Sequence, residues 1–143
     1  MFDRDEEVLS AIYAAMCSVP SEQALAQKHR LTLARYLDFY RGSLVVGLEI
    51  GGELAGGMFF QEPGAVHLGI LQRFRARWVR WLRPMLEIGF ERYGPRLKAE
   101  VNALNLRAQE FMERGGCIRG RATALLVEYE VSKERMNYGV NNQ

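Results

Sequence analysis

Asn105-Leu106-Arg107-Ala108-Gln109-Glu110-Phe111-Met112-Glu113-Arg114-Gly115-Gly116-Cys117 is the stretch on which the reading of this chain turns. Leu104, Ala108 and Phe111 recur at helical spacing. Asn105 is a residue type that caps helices well, and Gly115-Gly116 supplies the glycines with which helices end. Just upstream, Leu97 to Val101 reads as a short strand. Downstream, Cys117 to Ser132 is β-like, with Thr123, Leu125, Val127, Tyr129 and Val131 alternating. The stretch is therefore the helix of a strand–helix–strand unit.

Working outward toward the N-terminus, Arg73 to Tyr93 is expected as one helix stopped by Gly94-Pro95. Phe74, Trp78, Trp81, Leu82, Met85 and Gly89 would share one face, and Arg73, Arg77 and Arg80 another. Ala65 to Leu71 is apolar enough for a central strand. Pro63-Gly64 reads as a turn, and Gly51-Gly52 as the hairpin joining Leu44–Ile50 to Leu54–Gln61. Two helices precede Ser43. The first opens on a capping box, Asp3-x-x-Glu6, continues through Val8, Leu9, Ile12, Tyr13 and Met16, and is ended by Pro20. The second is capped by Ser21, carries Leu25, Leu33, Leu37 and Tyr40, and closes at Arg41-Gly42. The order α, α, β, β, β, α, β, α, β predicts an α/β fold: a mixed, mainly antiparallel sheet with helices on both faces.

Length and composition bound what such a chain does. Its 143 residues, 48% hydrophobic and 25% charged, suit one globular domain. A helical part over 1–42, a core over 43–132 and a tail over 133–143 are expected, with disorder expected only in the polar tail from Asn137 to Gln143. Two cysteines without a CxxC pair, and two histidines, offer no zinc set, so no metal is expected. The acidic start is unlike a signal peptide, and no apolar run approaches a membrane span. A cytoplasmic protein with reduced thiols and no membrane partner is expected. Arg73, Arg75, Arg77, Arg80 and Arg83 cluster with no acid among them; without those five charges the net +2 falls to −3. Such a concentration makes an anionic partner worth considering. The arginine stripe reads as phosphate binding, a solvated helix face or a nucleic-acid contact, and nucleic acid ranks last because no flanking aromatic platform or second basic element accompanies the arginines.

The quoted stretch resembles the block that marks the GNAT superfamily of acyl-CoA N-acetyltransferases, and the likeness extends over Ser43 to Val131. Family members have Asn, two residues, Ala, two residues, an apolar residue, Tyr, Glu, Lys or Arg, any residue, Gly, Phe. Asn105, Ala108, Phe111, Glu113, Arg114 and Gly116 match in register, while Met112 stands at the tyrosine and Cys117 at the phenylalanine. The family's pyrophosphate loop, Arg/Gln-x-x-Gly-x-Gly/Ala, corresponds to Arg75-Ala76-Arg77-Trp78-Val79-Arg80, where Arg75 matches and both glycines are replaced. Gly52-Glu53-Leu54-Ala55-Gly56 resembles the family's first hairpin.

The resemblance implies transfer of an acyl group, expected to be acetyl, from acetyl-CoA to an unidentified amine. Backbone groups near Leu68, Ile70 and Leu71 would hold the pantetheine and polarise the carbonyl. Arg75, Ala76, Arg77, Trp78, Val79 and Arg80 would face the phosphates, with Arg77 and Arg80 acting through their side chains in place of the lost glycines. Asn105, Ala108 and Met112 complete the expected cofactor-binding set. His67 is the candidate general base and Glu100 a candidate to hold or activate the amine; each also reads as an ordinary structural or solvated residue. Asn105 is a third catalytic candidate, to orient a water, and equally a helix cap. Met112 cannot donate the proton that the tyrosine gives to the departing thiolate. The alternative is a catalytically inactive GNAT-fold binding or assembly protein, and the small size and eroded loop are similar to degenerate GNAT domains of short-tailed phage virions. The virion would then be its place. The family's opening strand is missing, which would leave Ser43–Ile50 as an uncovered edge, so a homo-oligomer or a larger complex is expected.

Overall fold

Val8 and Ile12 of α1 (Phe2–Cys17) ride over three glycines, one from each of three strands. A Cβ at Gly47 would lie 2.8 Å from Val8 Cγ2, one at Gly57 2.9 Å from Val8 Cγ1, and one at Gly69 2.8 Å from Ile12 Cγ2. The glycines thus let α1 sink onto the sheet closer than any other residue would permit. The computed structural model describes residues 2–136, and the polar tail from Asn137 lies outside them. Its six strands are β1 (Leu44–Ile50), β2 (Glu53–Gln61), β3 (Ala65–Ile70), β4 (Arg96–Asn102), β5 (Ile118–Ala122) and β6 (Leu126–Ser132). They form one sheet in the order β1-β2-β3-β4-β6-β5, flanked by helices. The sheet is mainly antiparallel; β3 and β4 pair in parallel, at Ala65 and Lys98.

The chain forms two compact units, one comprising residues up to Gln61 with His67–Trp78, the other Glu62–Val66 with Val79 onward. In the first unit the β1–β2 hairpin turns at Gly51 and Gly52, with φ of 61° and 82°, the positive angles a two-residue turn requires. Val8, Leu9, Ile12, Tyr36 and Phe59 form its buried cluster. Each such side chain contributes about 1.5–3 kcal/mol by leaving water. In the second unit α4 (Leu82–Tyr93) packs on β4, and α5 (Leu106–Arg114) reaches β6 through Tyr129.

Several sequence expectations need correction. Helix α1 already begins at Phe2, so Asp3 lies inside it and does not cap it. Pro20 does not merely end the first helix but opens α2 (Pro20–Lys28) at its first position, where a missing N–H costs nothing; Val19, not Ser21, is the cap. The second expected helix is in fact two. The chain breaks at Arg30, which adopts φ 53°, and restarts as α3 (Leu33–Tyr40), whose first turn is capped by Thr32 accepting from the Arg35 N–H at 3.3 Å.

The long arginine-rich helix also fails to form. Two 3₁₀ turns, Gln72–Phe74 and Val79–Trp81, replace its first half, and α4 starts only at Leu82. Pro84 is the reason: within a helix from Arg73 it would lack an N–H and its ring would strike the Arg80 carbonyl, whereas in a first turn neither matters. Arg73, Arg77 and Arg80 therefore do not share a helix face. The last β-like stretch is a hairpin, because the Thr123 hydroxyl accepts from the N–H groups of both Leu125 and Leu126 at 3.1 Å and closes a turn. No strand precedes α1 among the described residues, and β1 is one edge of the sheet.

Candidate functional site

The segment after β3 is held down before it can hold anything else. The Leu71 N–H donates to the Ala55 carbonyl at 2.8 Å, and Phe74 is buried. Arg75 donates from Nε to the Ile70 carbonyl at 3.1 Å and from Nη2 to Ser18 Oγ at 3.1 Å and the Ala15 carbonyl at 3.4 Å. Its cation thus braces the segment against the C-terminal turn of α1, where the helix dipole favours positive charge. Arg73 pairs with Glu53 at 2.9 Å, and Arg83 with Glu87 at 3.6 Å. That leaves Arg77 and Arg80, both exposed and neither in an ion pair with any described residue. Arg77 lies over the Phe74 ring at 5.8 Å and Arg80 over Trp81 at 5.1 Å. Trp78 is only 8% exposed, so its bulk is turned inward, while Ala76 and Val79 are exposed. On β3, Ile70 is buried and Leu68 exposed.

His67 lies in the same unit as Arg77. Its ring stacks on Phe59 and meets Tyr40 at 5.3 Å, and Nε2 is 2.9 Å from Gln61 Oε1, to which it donates when it carries the hydrogen. Burial pushes its pKa down to about 4, so the ring is neutral at pH 7, with Nδ1 then the basic nitrogen. A base of that pKa accepts a proton less readily than free imidazole does. Phe59 and Gln61 have no motif to announce them; only their alternation on β2 places them on one face.

In the second unit Asn105 caps α5, accepting from the Ala108 N–H at 3.2 Å. Two buried residues the sequence reading passed over complete the β4–α5 loop. Asn102 accepts from the Leu104 N–H at 2.9 Å, and Gln109 Nε2 donates to the Ala103 and Asn102 carbonyls at 3.0 and 3.3 Å. Asn105, Ala108 and Met112 are brought together on this helix, with Met112 half-buried. Next to Met112, Glu113 accepts from the Tyr129 hydroxyl at 2.7 Å and from Arg119 at 3.0 Å. These donors hold its carboxyl below the usual range, while burial and the carboxylate push Tyr129 up to about 12. Glu100 is exposed on β4 directly opposite Glu128 of β6.

Solved structures share this architecture along nearly its whole length. A protein of Pyrococcus horikoshii OT3 aligns with TM-score 0.66 and 12% identity over 96% of this chain and 94% of its own. A GCN5-related N-acetyltransferase from Rhodopseudomonas palustris gives 0.64 and 13% over 91% and 88%. A ribosomal-protein-alanine N-acetyltransferase from Brucella melitensis gives 0.62 and 17% over 92% and 96%. No protein-family model matches the sequence, and no curated protein matches it significantly. The chain has the GNAT fold.

Proposed function

We propose that this chain is an acyl-CoA-dependent N-acyltransferase that transfers acetyl to an amine. The observation that carries the reading is the segment after β3, where Arg77 and Arg80 are exposed and unpaired among the described residues while the Trp78 side chain is buried. The donor set fits a pyrophosphate by charge, and the tryptophan in the glycine position does not stand in its way. Arg77 and Arg80 would hold the anionic end of the co-substrate, while Arg75 positions the segment that carries them. Bound acyl-CoA supplies an activated thioester carbonyl for attack by the amine. Asn105 and Ala108 keep the start of α5 in place. His67, through Nδ1, is the proposed acceptor of the amine's proton, and Glu100 the proposed site of attraction for a cationic amine.

A second reading, a GNAT-fold binding or assembly protein without turnover, is favoured by Met112, which has no proton to give a leaving thiolate. It is also favoured by the two sheet edges, β1 and β5, on which further chains could pair to give an oligomer or complex. A thermal-shift comparison of acetyl-CoA, desulfo-CoA and free phosphate separates the readings when joined to a thiol-release assay with amines. Stabilisation by both CoA species with thiol release supports the enzyme. Stabilisation without release supports the binding protein, and no shift with either CoA species removes both the cofactor and its site.

A further inference from the structure

Leu104, Leu106 and Leu125 are 75%, 69% and 55% exposed, and with Phe39 they are the four most exposed large apolar side chains among the described residues. Leu104 and Leu125 stand on two adjacent loops at one end of the second unit, and Leu106 opens α5 two residues after Leu104. The Ala103 N–H donates to the Leu125 carbonyl at 2.9 Å, Asn102 pairs with Leu126, and the Leu104 N–H is tied to Asn102 Oδ1. The loops are thus fixed side by side, with Leu104 and Leu125 exposed on them and Leu106 exposed at the start of α5. A single exposed leucine is ordinary, but a group of them on braced loops marks an interaction surface. Residues 103–107 and 118–126 contain Arg107, Arg119 and Arg121 and no acid. Arg119 is paired with Glu113, whereas Arg107 and Arg121 are in no ion pair with a described residue.

We propose that this end of the second unit docks on an anionic lipid surface, with the three leucines entering the headgroup–acyl boundary and Arg107 and Arg121 facing the headgroups. Apolar loop tips backed by free cations complement such a surface, which offers burial without a shaped pocket and attracts positive charge. A second copy of the chain is a poorer occupant, because a two-fold interface here would bring the same unpaired arginines against one another. The sequence predicts no membrane partner because it lacks a spanning run. Among the described residues no helix is long and apolar enough to cross a membrane, and surface docking requires none. The proposal does not rest on the acyl-transfer reading, although Asn105 of that proposed site lies between Leu104 and Leu106.

Co-sedimentation of the intact chain with phosphatidylcholine vesicles, with and without phosphatidylserine, tests it. The protein should pellet with the phosphatidylserine vesicles, less with phosphatidylcholine alone, and progressively less as salt rises. Leu104→Ser with Leu125→Ser should weaken binding by about tenfold or more, and Arg121→Glu should weaken it as well. These side chains are exposed, so the variants should fold. Three results would overturn the proposal: no pelleting of the wild type with either vesicle, equal pelleting of wild type and the leucine variant, or light scattering in which the leucine changes convert a dimer into a monomer.

Discussion

The imidazole of His67 lies flat on the ring of Phe59, with centroids 4.4 Å apart and planes only 7° from parallel. Such a stack has little room for the hydration that a charged imidazolium needs, which is why burial sets the protonation of His67 more than any neighbouring charge does.

The stack predicts a pH dependence of folding. The folded pKa near 4 is below the ordinary 6.5, so the unfolded chain binds the proton more tightly. Stability from this site is fully present above about pH 6.5 and is lost as pH falls toward 4, by about 3 kcal/mol at the limit. Urea unfolding of wild type and His67→Gln at pH 7 and pH 4.5 should show the wild type losing more stability than the variant. Parallel losses would mean that His67 titrates normally in the fold.

Arg75 and Arg77 should separate by what their loss affects. Arg77→Glu should weaken acetyl-CoA binding by about tenfold or more with little change in melting temperature. Arg75→Ala should lower the melting temperature, because it leaves the carbonyls of Ala15 and Ile70 without this donor. Calorimetric titration and a thermal melt on each variant check both. Unchanged affinity in Arg77→Glu would remove that arginine from the proposed site.

Met112→Tyr places a phenol at the position where the resembled block carries tyrosine. If the chain transfers acyl groups, thiol release across a panel of amines should be faster in the variant. An unchanged rate in an active protein would place residue 112 away from the leaving sulfur.

Asn105 can be dissected by chemistry. Asn105→Ala removes the cap on α5 and should cost about 1 kcal/mol, whereas Asn105→Asp keeps an acceptor for the Ala108 N–H and should be near wild type in stability. Denaturant unfolding measures this. A loss of acetyl-CoA affinity in the stable Asp variant would show a ligand role beyond capping.

The glycine stripe under α1 gives a packing test. Gly47→Ala places its methyl against Val8 Cγ2 and little else, so it should destabilise by about 1–3 kcal/mol and be partly rescued by Val8→Ala. Gly57→Ala meets the Val46 backbone carbonyl as well, which cannot be trimmed, so Val8→Ala should rescue it less. Equal rescue at both positions would mean that the backbone yields.

Local chemistry carried much of this fold in the sequence itself. The paired glycines at 51 and 52, the alternation through Leu44–Ile50 and the Asn105-to-Gly116 block each specify their element through contacts within a few residues, and each element formed where those residues stand. The bundled arginines did not behave so. Their spacing matched a helix, but Pro84 moved the helix start downstream, and the partners Glu53, Ser18 and the Ala15 carbonyl lie 20 to 60 residues away in sequence. Which arginine is a brace and which is left free is therefore decided by long-range geometry. The same holds for His67, whose neutrality comes from burial among Phe59, Tyr40 and Gln61, and for Leu104 and Leu125, whose loops are joined by the hydrogen bond from the Ala103 N–H to the Leu125 carbonyl. Periodicity and turn chemistry act along the chain and can be read from it. Burial and hydrogen-bond pairing act between segments and exist only once the chain has folded.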